Sequence, residues 1–180
     1  MTALVQRFTL PGVTTTAELL TDAFGRVQEA VHGALDGLTD EQLAARVAPD
    51  ANTIAWLVWH LTRIQDDHVA DVAGTEQRYT AHAFNTKFAL PFDDDATGYG
   101  FTTADVGAVR ASAALLKEYY DAVHADTIAY IATLSDTDLD RIVDTRWDPP
   151  VTLAVRLVSV IEDDLQHAGQ AAYARGILTT

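Results

Sequence analysis

The 180-residue chain contains no cysteine. That excludes disulfides and thiolate metal sites, so a bound metal would be held by nitrogen and oxygen alone. Thiol chemistry, if present, would use a sulfur supplied by a cofactor or substrate. Basic residues are also scarce: 12 Lys and Arg stand against 26 Asp and Glu, a formal net charge of −14. A nucleic acid or an anionic membrane surface would call for a basic face, so neither is an expected partner. No apolar run approaches the roughly 18 uncharged residues of a membrane-spanning helix. The opening stretch, MTALVQRFTLPG, has no continuous apolar core and an early Pro11, unlike a secretory signal. A cytoplasmic location is the expectation. There is no internal repeat and no low-complexity tract.

What is present reads as one globular domain over residues 1–180, with an apolar share of 48%. Residues 1–13 read as an extended leader ended by Pro11-Gly12. Thr14, Thr15 and Thr16 offer caps for a first long helix over about 16–36, with Leu20, Phe24, Val27, Val31 and Leu35 at helical spacing. Thr39-Asp40-Glu41-Gln42 has the form of a capping box and opens a short helix. Asn52 caps a second long helix over about 53–73, closed by Gly74. A third runs over about 104–134 and a fourth over about 152–175, stopped by Gly176. Between the second and third, residues 75–102 keep no sustained period. Their aromatics, among them Tyr79, Phe84, Phe88 and Phe101, argue for a loop folded over one end of the helices. Arg141–Trp147 can form a short extended piece, but no convincing strand pair is visible. The fold expected is all-α, an antiparallel four-helix bundle with a long connection between helices two and three.

The second long helix carries the most informative feature. It reads NTIAWLVWHLTRIQDDHVADVA from Asn52 to Ala73, apolar on nearly every side of its first half, with His60 in the middle. A buried polar group without a partner costs roughly 1–3 kcal/mol. In the fourth helix, IEDDLQHAGQ places Asp163 and His167 four residues apart. At that spacing two side chains share a helix face, about 6 Å apart at Cβ, and can converge on one ion. Asp164, three before His167, is the rival carboxylate. His60, Asp163 and His167 together make a set of two imidazoles and one carboxylate. Such a set leaves a coordination position open, as in catalytic zinc sites. Zinc leads among the candidates and nickel follows; iron and manganese also accept these ligands. Gln170 and Asp67 are candidates for orienting the imidazoles. His32 and His124 read as surface or rim residues, His68 lies past the apolar half of its helix, and nothing places His82 near the set.

NTIAWLVWHLTRIQDDHV and DDLQHAGQAAYARG together resemble the second-helix and last-helix signatures of the DinB superfamily. The resemblance is to the branch near mycothiol-dependent maleylpyruvate isomerase, and it covers most of the chain. It implies a four-helix bundle holding a divalent metal through His60, Asp163 and His167. Aspartate stands where the isomerase branch has glutamate, which shortens the reach to the metal. The sequence ends just after the fourth helix, so the isomerase's C-terminal domain and its isomerisation are not expected. The better-understood members of the family use a low-molecular-weight thiol such as mycothiol or bacillithiol.

Three functions follow as expectations. The first is a metal-dependent S-transferase joining a low-molecular-weight thiol to a small-molecule electrophile, with Arg156 on the cofactor's carboxylate or left as a surface charge. The second is a hydrolase using metal-bound water, with Asp67 or Asp164 as general base. The third is a non-catalytic, metal-stabilised bundle that forms a homodimer through its helices.

Overall fold

The computed structural model describes residues 15–180. The leader over 1–13 and the capping role of Thr14 lie outside the described residues. Helix α1 spans Thr16–Leu35, α2 Asp40–Leu43 and α3 Ile54–Ala73. Three short helices follow, α4 at Arg78–Ala81, α5 at Phe84–Phe88 and α6 at Thr103–Ala108. Then come α7 at Ala113–Ile131, a 3-10 turn at Asp136–Asp140, strands β1 (Ile142–Asp144) and β2 (Val151–Thr152), and α8 at Leu153–Leu178.

Hydroxyl caps start the long helices. Thr15 and Glu18 form a capping box on α1, and Thr152 accepts the backbone N–H of Val155 on α8. Thr39 and Gln42 form the box read from the sequence. On α3 the cap is Thr53, which accepts from Trp56, and not Asn52. Gly74 ends α3 in the left-handed region, at φ +69°, where only glycine sits without strain.

The four long helices form the bundle expected. Hydrogen bonds fix their directions. Gln65 meets Thr127, and Tyr130 meets the Val72 carbonyl, so α3 and α7 run the same way. Leu20 packs with Leu153 and Leu157, and Arg175 reaches the Asp36 carbonyl, so α1 and α8 also run together. The two pairs are antiparallel to each other. The long crossover from α3 to α7 is what permits two neighbouring helices to run parallel.

Three further details differ from the sequence reading. The third long helix is broken: α6 ends at Ala108, and Ser112 caps a new start by accepting from Leu115. Both pieces aim apolar residues inward, Val106 and Val109 before the break and Leu116 after it, so one period runs across the break. Secondly, β1 and β2 pair antiparallel, a ribbon too short to show alternation. Thirdly, Gly176 does not stop α8. Arg175 on the Asp36 carbonyl and Gln42 on the Leu178 carbonyl dock that last turn.

The crossover is anchored by two buried charges one to two turns beyond His60. Arg63 is fully buried and donates to the carbonyls of Ala96 (3.1 Å) and Asp94 (3.2 Å), to Gln77 (2.7 Å) and to Tyr119 (3.3 Å). Asp66 accepts the backbone N–H groups of Arg78 and Tyr79 and the Tyr119 hydroxyl, each at 2.8 Å. Phe84, Phe88 and Tyr79 pack on the Tyr119 ring. The loop is therefore packed, as its aromatics suggested, but against the flanks of α3 and α7 and not over one end of the helices.

Candidate metal centre

His60 lies in the apolar half of α3 and is 5% exposed. Its ring stacks on Trp56, one turn earlier, at a centroid distance of 4.6 Å and an angle of 12°. Nδ1 is 2.6 Å from the Thr97 carbonyl oxygen. A carbonyl only accepts, so Nδ1 carries the proton and the Nε2 lone pair is free. Burial, with the nearby His167, pushes the imidazole below its usual range, although the Thr97 carbonyl and Asp163 oppose the shift. His60 is thus held neutral, as a metal ligand must be.

Asp163 and His167 come from α8, which runs antiparallel beside α3. The His167 ring lies edge-on to that of His60 at 4.9 Å, and to that of Trp56 at 5.9 Å. His167 Nδ1 lies 3.0 Å from Gln170 Oε1, which leaves its Nε2 facing Asp163 Oδ1 at 3.6 Å. Asp163 Oδ2 is buried without a hydrogen-bond partner. One ligand atom from each of His60, Asp163 and His167 lies within 4.8 Å of the others. Donors around a tetrahedral zinc stand roughly 3.3–3.6 Å apart, so the three close on an ion with side-chain shifts of about an ångström. The chemistry of the set fits a divalent cation: two lone pairs and an unpartnered carboxylate oxygen converge, and both outer imidazole nitrogens are already bonded. Among the described residues this is the group with such spacing.

The rival carboxylate faces elsewhere. Asp164 is fully buried, and neither oxygen has a partner. Its charge would bear on Tyr120 of α7, and burial pushes its carboxyl well above the usual range, so it sits neutral in the bundle interior. Gln170 is the orienting residue that its spacing suggested. Asp67 is not: it accepts from Gln77 at 2.8 Å and lies 3.5 Å from His68.

Arg156 is half-enclosed and not a solvated charge. It donates to His68 Nδ1 at 2.9 Å and to Asp144 at 3.1 Å. The β-ribbon brings Asp144 there, where hydrogen bonds from Arg146, then the charge of Arg156, hold its carboxyl far below the usual range. Arg146, Arg156, His68 and Gln77 line a polar cavity of about 340 Å³ on the α3–α8 side of the bundle. Burial, then the charge of Arg156, holds the His68 imidazole below its usual range, against the pull of Asp67, Asp163 and Asp71.

Sequence reasoning missed Thr97 and Gly98. A Cβ on Gly98 would stand 2.9 Å from His60 Nδ1 and 3.1 Å from the Trp59 ring, and the residue has φ +96°. Its position between Phe92 and Gly100 in an aromatic-rich loop was the available signal. Trp56 Nε1 is buried beside the set without a hydrogen-bond partner.

Comparison with known proteins agrees with this reading of the fold. A solved structure of a conserved protein from Enterococcus faecalis superposes with a TM-score of 0.86 at 28% identity, covering 93% of this chain and 99% of that one. A DinB-like protein from Bacillus cereus superposes at 0.57 with 20% identity, covering 89% and 90%, and shows the fold alone. No curated protein matches the chain. No helix among the described residues is long and apolar enough to cross a membrane. The model of the mycothiol S-transferase family matches residues 19–180, so the chain belongs to that DinB-like family.

Proposed function

We propose that this protein is a metal-dependent S-transferase that joins a low-molecular-weight thiol of the mycothiol type to a small electrophile. The observation that carries the reading is the convergence of His60, Asp163 and His167 within 4.8 Å. The outer nitrogens of the two histidines are already bonded, to Thr97 and Gln170. These three residues would hold one divalent ion, zinc or nickel. When bound, such an ion lowers the pKa of a coordinated thiol, so that the sulfur is a nucleophile near neutral pH.

The chain's own residues supply the rest. Trp56, stacked on His60 and edge-on to His167, walls one side of the site and limits water there. The unpartnered Trp56 Nε1–H is a donor for a polar atom of the ligand. Arg156 and Arg146, in the polar cavity, bind the part of the thiol remote from sulfur. The lack of cysteine fits this chemistry, since no protein thiol competes with the cofactor. The hydrolase reading is weaker, because both of its general bases are engaged elsewhere: Asp164 is neutral in the core, and Asp67 is bonded to Gln77.

The test has two parts. Metal analysis of the purified protein beside His60→Ala, Asp163→Ala and His167→Ala should give one equivalent in wild type and a loss in each variant. The loaded wild type should consume a chloro-dinitro arene only when thiol is present. Turnover of activated esters without thiol would favour the hydrolase, and unchanged metal uptake in all three variants would refute the site.

A further inference from the structure

A second cavity lies along the contact of α3 and α8, at the end away from the polar one. It encloses about 330 Å³ where the link between α2 and α3 meets the C-terminal part of α8. Val47, Leu57, Tyr173 and Ala174 make its walls mainly apolar. Among the described residues that line it, Asp50 is the only charged one. Arg46 donates to the carbonyls of Ala51 and Thr103, which fixes the link in place. Tyr173 is 72% exposed, so its ring has room to close on a ligand. Gln170 connects this cavity to the metal set: its side chain lines the cavity, and its Oε1 lies 3.0 Å from His167 Nδ1. Leu57 and Gln170 stand three residues from His60 and His167, about 4.5 Å along each helix axis. Asp67 and Arg156, in the polar cavity, stand seven residues from His60 and Asp163 in the opposite direction, about 10.5 Å. The metal set therefore lies between the two cavities and nearer the apolar one.

We propose that this apolar cavity holds the electrophile and selects a small, uncharged one built on an aromatic ring. The proposal rests on the S-transferase reading. A thiol whose polar end lies between Arg146 and Arg156 brings its sulfur to the metal set from one side, and the apolar cavity leaves the other side for the second reactant. The volume is at the small end of ligand cavities, about 300–1,000 Å³, which suits one or two rings. An anionic electrophile would meet Asp50 with no cation to offset it, in a chain of net charge −14. With a chloro-dinitrobenzene the sulfur bonds to the ring carbon that carries chlorine. The C–Cl bond breaks, chloride leaves with its electron pair, and the thiol proton passes to solvent. Tyr173 and Asp50 set specificity for the electrophile and take no part in bond making.

The test compares neutral chloro-dinitrobenzene with its anionic analogue, chloro-dinitrobenzoate, on the metal-loaded protein. Tyr173→Ala and Asp50→Lys both change exposed side chains, so the fold is retained. Tyr173→Ala should raise KM for the neutral arene about 3- to 10-fold and leave KM for the thiol unchanged. Asp50→Lys should raise the kcat/KM of the benzoate relative to the neutral arene about fivefold at low salt, and less at high salt. Equilibrium dialysis with dinitrobenzene, which has no leaving group, needs neither thiol nor metal, and its Kd should rise in Tyr173→Ala by the same factor as KM. If both variants turn over and bind as wild type does, the subsite is overturned while the transfer reading stands. A rise in KM for the thiol and not the arene also overturns it. If dinitrobenzene binding responds to Tyr173→Ala but no arene is consumed with thiol, the cavity binds arenes, and the S-transferase reading and the electrophile role fall together.

Discussion

The His60 imidazole donates from Nδ1 to the Thr97 carbonyl at 2.6 Å, a hydrogen bond that reaches 37 residues along the chain. It joins the buried histidine of α3 to the crossover loop and decides which ring nitrogen keeps its lone pair. A change in the loop that displaces this carbonyl therefore acts on the metal set through His60.

Gly98→Ala is such a displacement. The new Cβ would meet His60 Nδ1 at 2.9 Å, on a backbone with φ +96°. The strain costs about 1–3 kcal/mol, and loss of an outer hydrogen bond to a ligating histidine weakens metal binding roughly 10–100-fold. Competition with a chelator of known affinity measures it. Wild-type affinity in Gly98→Ala would show that the Thr97 contact does not orient His60.

Arg63→Met should be among the most damaging single changes outside the metal set. It removes a fully buried guanidinium and leaves Asp66 facing the core without its cation, 3.6 Å away in the wild type. Breaking one partner of a buried pair costs about 3–5 kcal/mol. The Ala96 and Asp94 carbonyls also lose their donor, so limited proteolysis should cut first near residues 89–98. Arg63→Lys should rescue little, because an ammonium has three donors for the four acceptors that Arg63 serves. Urea unfolding of the three proteins decides it.

The parts of this fold legible in the sequence were those governed by period and cap. The four long helices, the Thr39 box and the Asp163–His167 spacing follow from residue intervals alone. The direction of Asp163 against Asp164 does not, because adjacent residues differ by 100° and either can face a neighbour until the neighbours are placed. The Thr97 contact was hidden for a different reason: it uses a backbone carbonyl, which every residue carries. The ribbon that brings Asp144 to Arg156 was too short to show alternation, so the environment of that arginine was invisible as well.

Asp164→Asn tests the neutral carboxyl through its pH dependence. A carboxyl raised in the fold keeps its proton there while the unfolded chain loses it above about 4. The folded state then loses stability as pH rises, by about 1.4 kcal/mol per unit, until the folded carboxyl itself ionises. Asparagine cannot ionise, so the variant should gain on wild type steadily from pH 4 upward. Denaturant midpoints at several pH values give the difference. The slope is the readout, because any packing penalty of the amide is independent of pH; a flat difference would mean that Asp164 is ionised in the fold.

Arg156→Met separates binding from framework. Arg156 donates to His68 and Asp144, and Arg146 still holds Asp144 at 2.8 Å, so the ribbon keeps one of its two cations. If Arg156 also binds the thiol, the variant loses a charge-assisted hydrogen bond of about 1.5–3 kcal/mol, which is at least tenfold in KM for the thiol. Because the contact is remote from sulfur, it serves the ground state and the transition state alike, and kcat should change little. Steady-state kinetics with varied thiol and saturating electrophile resolves the two. A variant with lower thermal stability and an unchanged KM would assign Arg156 to the framework alone.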